Sequence, residues 1–263
     1  MEKGIEFFSL EGKKAIVTGG AQGLCYAMAE ALHEAGAEIV LLDVQKSVYE
    51  SAARLGERGA HVHAVMGDLS DYDQLVQAYQ ACLGKLGGHL DILLNGAGIQ
   101  FRCKAEDYPR ERWEKILDIN LSAVFYMAQM AGRTMLEQGA GKIINIASMT
   151  AYVASAMIPA YAASKAGVVQ ITKALSNEWS SRGVNVNAIA PGYMSTKLTE
   201  DMKQINPALY TEITGRIPMG RWGNPEDLKG AAVFLASGAS DYISGITLPV
   251  DGGYLGTKGE IGL

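Results

Sequence analysis

Three side chains within eighteen residues have the chemistry to move a proton onto or off an oxygen: Ser148, Tyr161 and Lys165. Helical structure from about Pro159 onward puts Tyr161 and Lys165 at i and i+4, one turn apart on one face. A phenol in water titrates near pH 10, and an ammonium held beside it favours the ionised form. Lys165 is therefore predicted to draw the Tyr161 pKa down toward working pH and to make it a general acid/base. Ser148 closes the apolar run Lys142-Ile-Ile-Asn-Ile-Ala-Ser148, which reads as a buried strand. Its hydroxyl is expected at the strand's C-terminal edge, where open α/β sheets bind ligands. Tyr-x-x-x-Lys alone is a weak signal, because an amphipathic helix with a solvated lysine produces it too. A strand-ending serine 13 residues upstream, in a chain that opens with a nucleotide-binding pattern, gives it weight.

Those side chains need a scaffold, and the hydrophobic pattern supplies one. Apolar runs at Lys14–Thr18, Glu38–Asp43, His61–Met66, Leu90–Leu94, Lys142–Ala147, Val184–Ile189 and Thr247–Gly253 read as strands. Helical patterns lie between them, the long ones at 111–138 and 160–182. Strands alternating with helices of this length imply parallel β-α-β units with right-handed crossovers. The predicted fold class is α/β: one Rossmann-like domain, a doubly wound parallel sheet with helices on both faces. Ser70 and Asp73 have capping-box spacing, and Asn224-Pro225-Glu226 reads as a helix start. Pro249 places the last strand at a sheet edge or bulge. The segment from about 195 to 221 fits neither period and is expected to be a mobile substrate lid.

Composition narrows the function classes. The chain has 263 residues, 48% hydrophobic and 19% charged, enough for one full core. A net charge of −5 without a basic run argues against nucleic acid or an anionic membrane surface as partner. Three widely spaced cysteines suggest neither a disulfide framework nor a zinc site, and reduced thiols in a cytoplasm are expected. His61 and His63 alternate on one face without a third ligand and read as structural, so no metal is predicted.

Thr18-Gly-Gly-Ala-Gln-Gly-Leu-Cys25 follows a strand and precedes a helix, which would set backbone N–H groups and a positive helix end under a pyrophosphate. Gly19, Gln22, Gly23 and Leu24 are the candidate contacts. A glycine turn alone is common. Asp43, ending the second strand 20 residues after Gly23, adds the acid that accepts hydrogen bonds from the adenosine ribose. Asp43 would repel a 2′-phosphate, and Gln22 stands where a basic residue would help NADP, so NAD is the predicted cofactor.

With Ser148, Tyr161-x-x-x-Lys165 and the upstream Asn120 of Leu117-Asp-Ile-Asn-Leu121, the chain resembles the short-chain dehydrogenase/reductase family from about Leu10 to Leu255. The resemblance implies that Ser148 hydrogen-bonds a substrate carbonyl and that Tyr161 protonates the forming alkoxide. It further implies that Lys165 binds the nicotinamide ribose, and that Asn120 kinks its helix and supports a proton relay. Asp68 and Leu69 match the family position at the adenine ring, although a helix cap explains Asp68 equally well. Asn95, Ala97 and Gly98 match the family's Asn-Asn-Ala-Gly, with Gly96 as a departure, and Pro191-Gly192 matches the segment beside the nicotinamide. Cys25 stands where the family has a third glycine, and is expected to hold the first helix slightly off the first strand or to crowd the pyrophosphate and, near a helix N-terminus, to be reactive when the site is empty. Stretches such as Arg216-Ile-Pro-Met-Gly-Arg-Trp-Gly223 are similar to members acting on sugar acids, and family members are commonly homo-tetramers.

These readings predict an NAD(H)-dependent oxidoreductase that interconverts a secondary alcohol and a ketone on a sugar acid. Arg102, just beyond Gly98, is the candidate partner for the substrate carboxylate, with a solvated surface arginine as the alternative. The rival readings are a dinucleotide-binding sensor or scaffold that no longer catalyses, motivated by Cys25 and Gly96, and a reductase of another carbonyl substrate.

Overall fold

The computed structural model describes residues 4–57, 59, 61–196, 203 and 205–256. Seven strands, β1 Lys14–Thr18, β2 Glu38–Asp43, β3 Val62–Met66, β4 Ile92–Asn95, β5 Gly141–Ile146, β6 Val184–Pro191 and β7 Thr247–Val250, form one parallel sheet. The strand order is β3-β2-β1-β4-β5-β6-β7. β1 is followed outward on one side by β2 and on the other by β4, so the winding reverses between them, and a crevice is expected at their C-terminal ends. Pro249 sits in β7, an edge strand, where its missing N–H costs no rung.

Alternation along the strands divides the core into two layers. Ala15, Val17, Ile39, Leu41, Ile92, Leu94, Ile144 and Ile146 pack toward α1 (Gly23–Glu34), α2 (Val48–Gly56) and the helix Lys229–Ala236. Ile16, Val40, Leu42, Leu93, Ile143 and Val186 point the other way, toward α3 (Tyr72–Lys85), α5 (Ala123–Gln138) and α6 (Pro159–Trp179). Both faces are covered, which is why these strands read as continuous apolar runs. Leu41 is fully buried, and its truncation to alanine would cost about 2–5 kcal/mol.

Three local readings change. The cap of α3 is Asp71, whose carboxylate accepts from the Gln74 N–H at 2.9 Å, one residue beyond the expected Ser70. The pattern at 111–138 is not one regular helix: α4 (Arg110–Leu117) and α5 are joined by a π-helical turn, Asp118–Ser122. The 195–221 segment contains a helix, Pro207–Gly215, opened by the Asn206 side chain accepting from the Leu209 N–H and by Pro207 in its first turn. Residues 197–202 and 204 of that segment lie outside the described residues. No described helix is long and apolar enough to cross a membrane.

Candidate active site

A cavity of about 1130 Å³ opens at the C-terminal ends of the strands. Following strand order, its walls are Asp68 and Leu69 after β3, Asp43 at the end of β2, and Gly19, Gln22, Gly23 and Leu24 after β1. Ala97 and Gly98 follow β4, and Tyr161 and Lys165 on α6 complete it. Nine of the strand-end and loop positions expected to hold a dinucleotide thus share one groove with two of the expected catalytic groups.

The groove's chemistry suits a dinucleotide. Gln22, at the N-cap of α1, makes no capping bond, so the first-turn N–H groups take nothing from that side chain and can receive an anion. Gly23 holds φ at +67°, and a Cβ there would meet nothing within 4 Å, so the turn bends freely onto the groove. Asp43 is buried; its Oδ2 accepts from the Ala21 N–H at 3.1 Å and its Oδ1 from the Gln45 N–H at 2.9 Å. It therefore shapes the glycine turn as well as ending β2. Asp68 accepts from the Ser70 N–H and hydroxyl at 2.8 and 2.7 Å, bonds that hold its carboxyl below the usual range. Charged Asp68 is thus both a local turn brace and part of the wall.

The proton-moving groups meet at the far end. Ser148 Oγ accepts from the Thr150 N–H at 3.1 Å and the Thr150 hydroxyl at 2.9 Å. With those two donors on its oxygen, its own proton is left free to point elsewhere, and Ser148 acts on the Tyr161 phenol to favour its ionised form. Lys165 Nζ lies 5.7 Å from the Tyr161 ring centroid and donates to the Ile146 carbonyl at 2.6 Å. The expected electrostatics are corrected here. Burial pushes the Tyr161 phenol up, with only the Ser148 bond opposing, and lowers Lys165 from 10.5 to about 8, against the nearby Cys25. Desolvation is thus the dominant effect on both groups, and the Lys165 ammonium uses one of its three N–H donors on the Ile146 carbonyl.

Several expected residues lie behind the groove instead of in its wall. Asn95 is buried and donates to the Val124 carbonyl at 2.7 Å and to Asn145 Oδ1 at 3.3 Å. Asn120, also buried, donates to the Ile99 carbonyl at 2.9 Å and accepts from the Ile99 N–H at 2.8 Å. It sits in the π-helical turn, the break that the family resemblance implies. Pro191 pairs with Val250, and Gly192 lies against Asp251, so neither lines the groove. Arg102 is exposed, and its charge reaches the Tyr193 phenol, which burial pushes up and Arg102 pulls down. Cys25 is buried and burial pushes its thiol up to about 12, which overturns the expected reactivity. His63 pairs with Glu38 at 3.2 Å, as a structural histidine would. Among the described residues no cluster could hold a metal ion.

Sequence reasoning missed Thr18 and Thr150. Thr18 Oγ1 accepts from the Gly96 and Ala97 N–H groups at 2.9 and 3.1 Å and joins the end of β1 to the loop after β4. Its signal was position alone: a hydroxyl ending a strand directly before a glycine turn.

The family model described as enoyl-(acyl carrier protein) reductase matches residues 19–255. A 2-dehydro-3-deoxy-D-gluconate 5-dehydrogenase of Dickeya dadantii (strain 3937) is 44% identical over 251 residues, 94% of this chain and 97% of that relative. The chain belongs to the short-chain dehydrogenase/reductase family. A relative of the same name in Escherichia coli (strain K12) is 42% identical over 249 residues, covering 94% and 97% of the two chains. The crystal structure of a gluconate 5-dehydrogenase from Burkholderia cenocepacia J2315, in complex with NADP and tartrate, superposes with a TM-score of 0.91 at 36% identity. It covers 97% of this chain and 100% of that one. As a short-chain dehydrogenase/reductase, this protein is an oxidoreductase acting on CH–OH groups with a dinucleotide cofactor.

Proposed function

We propose that the protein catalyses reversible, NAD(H)-dependent oxidation of a secondary alcohol to a ketone on a sugar acid, with 2-dehydro-3-deoxy-D-gluconate or gluconate as the substrate class. The observation that carries it is the meeting of Tyr161 and Lys165 in the groove wall, with Ser148, held by Thr150, acting on the Tyr161 phenol. Bound nicotinamide supplies the hydride chemistry. Gly19, Gln22, Gly23 and Leu24 would hold the pyrophosphate, and Asp43 the adenosine ribose. Asp68 and Leu69 would border the adenine, and Asn95, Ala97, Gly98, Pro191 and Gly192 would frame the nicotinamide end. In the reducing direction Tyr161 gives its proton to the substrate oxygen while Ser148 donates a hydrogen bond to it. Lys165 would hold the nicotinamide ribose, and its charge favours the phenolate that remains. Asn120 supports the relay by fixing Ile99 beside this end of the groove.

Asp43 favours NAD over NADP through its charge, and Arg102 receives the substrate carboxylate. Residues 195–221 act as the lid, supported by Ser195 and Thr196 in the groove wall. A homo-tetramer and a cytoplasmic location come from the family resemblance and the cysteine content, and light scattering tests the assembly.

The test is NADH and NADPH oxidation against a panel of keto sugar acids and neutral ketones. Tyr161→Phe should abolish turnover while leaving NADH affinity within about threefold, since it removes the transferable proton and little else. Turnover with no member of the panel favours the sensor reading, and substantial activity in Tyr161→Phe sinks the acid/base assignment.

A further inference from the structure

Two positions far apart in sequence, 25 and 96, compete for one small space. A Cβ placed on Gly96 would stand 2.3 Å from Cys25 Sγ and 3.0 Å from Ile146 Cγ1. The first distance is far inside van der Waals contact, and the thiol is attached in the first turn of α1, whose helix is packed on the sheet. Residue 96 has no easy retreat. Its N–H and that of Ala97 are both held by Thr18 Oγ1, and Gly19 presses on Ala97, where an added Cβ would be 3.0 Å from the Ala97 Cα. The loop continues directly to Gly98, where an added Cβ would meet Asn120 Oδ1 at 3.3 Å and Lys165 Nζ at 3.8 Å. A displacement at 96 is therefore passed to the amide that clamps Ile99 and to the catalytic ammonium.

We propose that Cys25 and Gly96 form a matched pair of positioning residues, in which the volume of the thiol sets how closely the 96–98 loop approaches the glycine turn. Through that spacing it sets where the nicotinamide end of the groove lies relative to Lys165. The thiol's contribution is its volume; its nucleophilicity is not used. Neither residue is a lesion of the cofactor site by itself: the side chain gained at 25 fills the room left free at 96.

A double-mutant cycle on the full-length protein tests this. Gly96→Ala should raise the Kd for NADH, read by nicotinamide fluorescence, at least tenfold. Cys25→Ala, which opens the space beside residue 96, should raise it no more than about fivefold. The double variant, with Sγ removed and a methyl group supplied at 96, should return to within threefold of the wild type. Melting temperature is followed in parallel. A pair that merely fills the core would lower it without a matching change in Kd, whereas a positioning pair moves Kd and recovers it in the double variant. Additive losses in the cycle, or wild-type affinity in Gly96→Ala, overturn the proposal. If Gly96→Ala alone does not fold, a soluble double variant with restored affinity supports the pairing, and failure of both to fold refutes it.

Discussion

Thr18→Val is the perturbation whose size the structure sets most directly. Valine keeps the shape of threonine and loses one oxygen, which in this protein accepts from the Gly96 and Ala97 N–H groups at 2.9 and 3.1 Å. It also reaches Asn95 Oδ1 at 3.4 Å, a distance too long to add much. Thr18 is fully buried, whereas Gly96 and Ala97 are half-buried at the groove wall, so water can replace part of the lost acceptor. Each unsatisfied buried donor costs about 1–3 kcal/mol, and partial hydration puts the loss for the pair at about 1–3 kcal/mol. For a chain of this size that corresponds to a fall of about 2–10 °C in melting temperature. The loop so loosened carries Ala97 and Gly98, so the Kd for NADH should rise in the same variant. Thermal and urea denaturation at fixed protein concentration, with NADH titration alongside, measure both. Thr18→Ser keeps the acceptor and should recover most of each loss. A valine variant within about 0.5 kcal/mol of the wild type, or a serine variant as damaged as valine, would falsify the assignment of Thr18 as the tie between the two loops.

Lys165 titrates at about 8 in the folded protein and near 10.5 otherwise, so between those values the folded chain binds fewer protons than the unfolded one. Stability relative to Lys165→Met should therefore be level below pH 8 and rise by up to about 3 kcal/mol toward pH 10.5; a difference that stays flat contradicts the burial of this charge. Alcohol oxidation requires Tyr161 to have lost its proton, which burial opposes, and so should climb as pH rises into the alkaline range. A pH-independent rate with hydride transfer rate-limiting would remove Tyr161 as the base. Asp43→Ala should lower kcat/KM with both cofactors, because the Ala21 and Gln45 N–H groups lose their acceptor, yet narrow the NAD:NADP ratio; an unchanged ratio leaves Asp43 as a turn brace only. Arg102→Ala should raise KM for the acid substrate by about tenfold to a hundredfold, the loss of a charge-assisted hydrogen bond, and an equal rise with an uncharged analogue rules out a carboxylate partner.

The strands were readable because both faces of the sheet are covered: a strand buried on two sides must be apolar throughout, and β1 and β2 begin and end at the residues where their apolar runs do. The helix Pro207–Gly215 was not, since it buries none of its residues and so leaves no apolar stripe; Asn206-Pro207 was its one local signal. Asn95 and Pro191 were placed just beyond their strands and are the last residues of β4 and β6, but a sequence does not tell which way a strand-end residue turns, and Asn95 turns inward to Val124 and Asn145. The direction of the Tyr161 shift depended on what surrounds the phenol, and the fit between Cys25 and Gly96 on a contact across 71 positions; neither has a local pattern.

The Asn120 amide meets Ile99 as one peptide unit meets another across a sheet, giving a hydrogen bond to its carbonyl and taking one from its N–H. The segment beyond β4 thereby gains a surrogate rung from a helix side chain, presented by the π-helical turn at 118–122. Few side chains can do this. An aspartate of the same length accepts but does not donate, leucine does neither, and glutamine carries the same amide one methylene too far. The geometry beside Lys165 is therefore copied from a piece of mimicked backbone, and the widened helical turn, which looks like an irregularity, is the device that brings the copy to its template.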